Sequence, residues 1–276
     1  MMVVRHRITG AVLLEDAAES LAGARLAGVD LLYADLRGAD LRRADLRGAN
    51  LCNADLRGAR LDGANLVHAD VTLANVADAS FRDCNLADAR LQAVSLATAG
   101  AARTDFRGAD LTRVTIKNSN LRAAVFADAN LRRADLQHVD LTDADLTGSN
   151  LTDANLAFSQ LAGASLRYAM LVNAVLNAVD LRNADLSHAE LAYAVLNGAE
   201  LAGADLSAAL LSKTVFARCR DLHLAKGLTT AEHQDASSID VHTARESAGA
   251  LPEEFLVGLG LASSEIAALR ALSVGR

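Results

Sequence analysis

The chain of 276 residues is 51% hydrophobic but only 3% aromatic, lacks tryptophan, has one proline (Pro252) and carries a formal charge of −7. That apolar content excludes a disordered chain, and no run approaches the ~18 uncharged apolar residues of a membrane span. The acidic balance argues against direct nucleic-acid binding, which needs a basic stripe.

Residues 1–20 come first and carry no repeat. Met1-Met2-Val3-Val4-Arg5-His6-Arg7 lacks the long apolar run of a secretion signal. The three cysteines suit a reducing compartment rather than a disulfide framework. Both point to a cytoplasmic protein. Residues 11–20 read as a short helix or an irregular cap, covering the open end of a repeat that starts at residue 21.

From position 21 to position 216 every fifth residue is a centre, and 32 of these 40 are Leu. The others are Val71, Val76, Phe81, Ala101, Phe106, Ile116, Phe126 and Phe216. Two residues before each following centre sits a small residue, Ala in 28 of 40 cases. Between them is a polar position, Asp or Asn in 22 of 40. A helix would spread such centres around its circumference, since five residues advance about 500°. A flat strand would send alternate centres to opposite faces. A coil that turns between short extended pieces satisfies the period, with the centre and the small residue pointing inward.

The unit Ala-(Asp/Asn)-Leu-x-x resembles the pentapeptide-repeat family, whose fold is an all-β solenoid, a right-handed four-sided β-helix. The resemblance implies four units per coil and about ten coils over residues 21–220, a rod roughly 48 Å long. Residues 20 apart then stack, placing Phe81 over Ala101 and Phe106 over Phe126. The least regular stretch, 94–115, is expected to hold a void or a slight bend.

Residues 221–276 read as a linker and a helical tail, with eight acids against four bases. Pro252, Glu253 and Glu254 suit a first helical turn. Ser263 or Ser264 caps a last helix carrying Ile266, Leu269 and Leu272.

Nothing in this pattern points to chemistry, a cofactor or a metal. Periodic Asp pairs lie on a filled rod without a cleft. His68 and His188 fall six coils apart, and His223, His233 and His242 lack zinc spacing. Cys84 and Cys219 occupy inward positions, whereas Cys52 points outward. The expected function is a non-catalytic protein-binding scaffold.

Two surfaces stand out. The outward polar position becomes apolar at Val175, Val195 and Val215, which the four-unit coil puts in one column with Tyr193 beside Val195, and at Met170 and Leu210, two coils apart in another column. An apolar strip needs a cover. Two covers are open: the protein's own tail through Phe255, Leu256, Leu259, Ile266, Leu269 and Leu272, or a second protomer in a homodimer through the C-terminal end. The other surface is an acidic column of Asp45, Asp105, Asp145, Asp185 and Asp205. Some members of the family resemble duplex DNA and bind DNA gyrase or topoisomerase IV as modulators or protectors. The likeness makes such an enzyme the alternative partner, with this column as the mimic. A duplex 48 Å long carries roughly 28 charges, whereas residues 21–220 hold 23 acids and 21 bases. Arg25, Arg37, Arg42, Arg43, Arg47, Arg57 and Arg60 crowd the first coils, most of them beside Asp rungs in a salt-laced face.

Overall fold

The computed structural model describes residues 1–97, 100–247 and 249–273, with side chains to residue 271. Parallel β-bridges join residues 20 apart, from Arg25↔Asp45 to Glu200↔Arg220, so four pentapeptides make each coil. Every described centre from Leu21 to Phe216 is buried, and the core forms one continuous cluster along the rod. Phe106 and Phe126 stack with ring centroids 4.8 Å apart, and the Phe81 N–H donates to the carbonyl of Gly100 beside Ala101. Ala101 is itself buried, and the depression of this irregular region opens outward, lined by Gly100, Ala102 and Ala123.

Donor accounting explains the unit. In residues 46–50 the N–H groups of Leu46 and Gly48 donate to Asn65 and Val67 of the next coil at 2.7 and 2.9 Å. Those of Ala49 and Asn50 donate to Leu46 and Val29. The remaining donor, Arg47 N–H, has no backbone partner and is accepted by Oδ1 of Asp45. The Asp/Asn position is thus a side-chain cap for the one amide per unit that the ladder leaves over.

The second residue after each centre turns the corner. Every described corner from Gly23 to Arg218 has positive φ, between 50° and 74°, as in turns that need a left-handed residue at their third position. Corners carry Gly, Asp, Asn, Arg, His, Ala and aromatics, and the described ones include no Val, Ile or Thr, whose branched Cβ clashes there. Most Ser, Thr and Cys at the small inward position are satisfied across coils: Cys84, Thr104, Ser119, Ser159, Thr214 and Cys219 donate to carbonyls 23 residues earlier, whereas Ser149 donates to Leu146 within its own unit. Burial pushes both thiols, Cys84 and Cys219, up to about 12.

The ends differ from the sequence expectation. Residues 11–20 form no helix. Strands β1 (Met2–His6) and β2 (Val12–Asp16) make an antiparallel hairpin. Strand β1 also pairs with β3 (Ala34–Asp35) of the first coil, bringing Val4 into the core. At the other end β4 (Val195–Asn197), β5 (Leu210–Ser212) and β6 (Val215–Ala217) lead into a 3-10 turn, Leu222–Leu224. The ladder does not stop at 220. Asp205 pairs with Lys226, Leu210 with Glu232, and Val215 with Ser238, so the offset widens from 20 to 21, 22 and 23. Strands β7 (Glu232–Asp235) and β8 (Ser238–Ile239) therefore form a further, looser turn where a linker was expected.

Three helices follow: α1 (Val241–Ser247), α2 (Glu253–Gly258) and α3 (Ser263–Ser273). The carboxylate of Asp240 caps α1 by accepting the Thr243 N–H at 2.8 Å. Helix α2 starts directly after Pro252 with Glu253 and Glu254 in its first turn, whereas Ser263 and Ser264 lie inside α3 instead of capping it: the residue before the helix is Ala262, whose N–H donates to Glu265 at 2.7 Å.

Candidate functional site

The tail seals the end of the rod rather than its side. Phe255 is fully buried and lies edge-on to Phe216, the last centre, with ring centroids 6.0 Å apart. Leu256, Leu259 and Ile266 are buried in the same cluster, and Leu269 is half-buried. The side chain of Leu272 lies outside the described residues. Helix α1 reaches β6 and α2 packs on α3. His233 of β7 sits beneath this cap, 5.4 Å from Phe255, and both its ring nitrogens are buried without a hydrogen-bond partner. Burial lowers its pKa below the ordinary imidazole value.

The valine column forms an apolar strip that is left partly exposed. Val175 pairs with Val195, Val195 with Val215, and Val215 with Ser238 in one parallel column. Tyr193 stands at one edge, 48% exposed, with the Lys213 ammonium 5.3 Å from its ring. Phe158, which the sequence reading passed over, stands at the other edge, 55% exposed and stacked on His138 at 4.9 Å. Between them Asn155, Ala157, Asn177, Ala178, Asn197, Gly198 and Ala217 carry no charge. Phe158 was legible as an aromatic in a corner position 20 residues from His138. Met170 and Leu210 stand apart from this strip, as their spacing implies. They lie in another column, separated by Glu190.

The five acidic candidates do form one column, but three of them are neutralised. Arg47 bonds Asp45 at 2.7 Å, Arg107 bonds Asp105 at 2.6 Å, and Arg167 reaches Asp185 at 3.3 Å. The Arg47 guanidinium holds the Asp45 carboxyl below its usual range. At Asp105 and Asp185 burial pushes upward, but hydrogen bonds to the carboxylates outweigh it. Among the described residues Asp145 and Asp205 make no ion pair; their Oδ1 atoms accept the N–H groups of Thr147 and Ser207. The first coils repeat the clamp at Asp35, Asp40 and Asp55, with Arg37, Arg42 and Arg57.

Among the described residues no group of three or more His, Cys, Asp or Glu is placed to hold a metal ion, and no helix is long and apolar enough to cross a membrane. All three cysteines are unpaired by disulfides.

Inward centres, left-handed corners and a 20-residue stacking period define a four-sided repeat solenoid. The family model for pentapeptide repeats matches residues 20–58, 39–76, 59–97, 100–128, 129–167, 159–198 and 180–218. The chain belongs to the pentapeptide-repeat family, with its right-handed quadrilateral β-helix. It is similar to HetL, a pentapeptide repeat protein involved in heterocyst differentiation regulation from the cyanobacterium Nostoc sp. strain PCC 7120. There the identity is 28%, over 78% of this chain and 90% of that one, with a TM-score of 0.43. Full-length QnrB1, a plasmid-mediated fluoroquinolone resistance protein, is 16% identical over 86% of this chain and 97% of its own, at a TM-score of 0.31. A pentapeptide repeat protein from the Arabidopsis thaliana thylakoid lumen is 23% identical over 57% and 71%, at 0.18. No curated protein matches the chain.

Proposed function

We propose that this chain is a non-catalytic, cytoplasmic protein-binding scaffold whose partner docks on the face carrying Val175, Val195 and Val215. The carrying observation is that the tail, the internal candidate for covering that face, packs on the rod end instead. Three stacked valines, flanked by exposed Phe158 and Tyr193, remain partly exposed. Contiguous apolar surface of this kind marks an interaction site, and aromatic anchors at its margin suit a binding hot spot. The occupant is another protein or a second copy of the chain, meeting side to side.

Asp is the commonest residue at this strand position, so Val195→Asp and Val215→Asp alter the surface without opposing the fold. The double variant is expected to lose the self-association or the partner recovered with the wild-type protein, while melting at the same temperature. A wild-type protein that is monomeric by light scattering and retains the same partners as the variant refutes this reading.

A second reading, a DNA-mimicking modulator or protector of DNA gyrase or topoisomerase IV, draws support from family membership and from Asp128, Asp145 and Asp205. These lie on one side of the rod and make no ion pair among the described residues. The arginine clamps oppose it. Reversing the charges of Asp145, Asp185 and Asp205 should then abolish an effect of the protein on supercoiling; absence of any effect at low salt, where such attraction is strongest, eliminates it.

A further inference from the structure

Many arginines of the rod are answered by a carboxylate. At one corner column they are answered only in part. Ala93, Arg113 and Arg133 occupy successive rungs of that column, and with Gln92, Thr112 and Arg132 they line a recess of about 320 Å³. No Asp or Glu lines it. Among the described residues neither Arg113 nor Arg132 makes an ion pair, and Arg133 reaches only Asp153, at 3.5 Å. Arg113 and Arg133 are thus like charges one rung apart, at about 4.8 Å, and Asp153, on the rung beyond Arg133, answers that side of the pair alone, leaving the repulsion at Arg113 without a nearby anion in its own column.

The rod shows what such an answer looks like. At another corner, Asp83 sits 20 residues before Arg103 and bonds it at 2.7 Å. The equivalent place before Arg113 is held by Ala93, so the recess is a missing acidic rung. Asp110, in the adjoining strand, is already engaged by the Thr112 N–H and hydroxyl and by Gln92 Nε2, at 3.0, 2.6 and 2.5 Å.

We propose that Arg113, Arg132 and Arg133 form a binding site for a phosphomonoester. Guanidinium forks match the oxygens of a phosphoryl group, and three of them around one acid-free recess suit a dianion better than a single carboxylate. A duplex backbone is disfavoured, because residues 21–220 carry 23 acids against 21 bases, which repels an extended polyanion. The monoester belongs either to a phosphorylated protein side chain or to a small ester.

The test is calorimetric titration of the full chain at low salt with inorganic phosphate, a phosphoserine peptide, its unphosphorylated form and duplex DNA. Phosphate and phosphopeptide are expected to bind, and Arg113→Ala with Arg132→Ala to weaken both about tenfold or more. Arg218→Ala, far along the rod, leaves binding unchanged. Ala93→Asp supplies the missing rung and should abolish binding with an unchanged or higher Tm, which separates loss of the site from loss of the fold. A phosphopeptide tighter than free phosphate assigns the protein source, and equal affinities assign the small ester. Three results each overturn the proposal: no phosphate or phosphopeptide binding in the wild type, undiminished binding in Ala93→Asp, or tighter binding of DNA or the unphosphorylated peptide.

Discussion

The first and last coils share one backbone ladder and one kind of core, yet they treat the outward strand position differently along one column. In the first coils it is Asp35, Asp40, Asp45 and Asp55, each accepting the next unit's leftover N–H and each clamped by an arginine. In the last coils one column of it is Val175, Val195 and Val215, which offer that amide no side-chain acceptor, although Asp180 in a neighbouring column keeps the clamp with Arg182 at 2.6 Å. The coils stack equally well in both regions. The Asp rung therefore strengthens the unit without being essential to it, and the last coils give up that cap where the surface turns apolar.

The largest blow to this comparison should come from the end of the rod. Phe255→Ala removes the ring that covers Phe216 and is expected to cost about 3–5 kcal/mol in urea denaturation. Hydrogen exchange should rise in residues 195–239 and stay slow in the first coils. A uniform rise would mean that the two regions melt as one. Next in size, Asp55→Ala leaves the Arg57 N–H and guanidinium without their acceptor at a rung only 6% exposed. The cost should be about 1–2 kcal/mol, whereas Val195→Ala removes no such partner and should cost less.

Acid should separate the regions further. His233 has a lowered folded pKa, so the unfolded chain binds its proton first, and stability falls as pH drops below the ordinary imidazole value near 6.5. No charged group offsets this burial. Glu232 and Asp235 share its strand, and Glu253 and Glu254 open the helix above it. The clamped carboxylates behave later. Asp40, held at about 2 by Arg42, keeps its contribution above its unfolded value of 3.8 and loses it as pH falls through 2. Melting followed from pH 7.5 to 3 should show the helical cap loosening first, and His233→Phe should remove that early phase. The smallest effect belongs to Val195→Asp, within about 0.5 kcal/mol of wild type by thermal melting.

The period of five carried the architecture because a buried centre tolerates few residue types, and 40 of them in register leave one geometry. The stacking of Phe106 on Phe126 followed from the four-unit coil. Extra residues hid the rest: once the offset drifts to 21, 22 and 23, strands β7 and β8 no longer align with the pattern, although they pair in the same ladder. The N-terminal hairpin had its own signal in Val3-Val4 and Val12-Leu13-Leu14 around Thr9-Gly10, two strand-like runs flanking a turn. The tail's apolar residues were legible as a face that had to be buried. Its destination was not, because apolar surface is non-directional and both the valine strip and the rod end could receive it.

The corners have a consequence for how such a chain can change. A residue at positive φ points away from the core, and the described corners already hold Leu, Lys, Phe, Tyr, His, Arg and Asp. With β-branched side chains disfavoured by the turn itself, nearly every other exchange there leaves the interior untouched. The rod is then a tape with four edges, written at a pitch of about 4.8 Å, on which mutation can spell new combinations of charge and aromatic character while folding goes on reading only the centres.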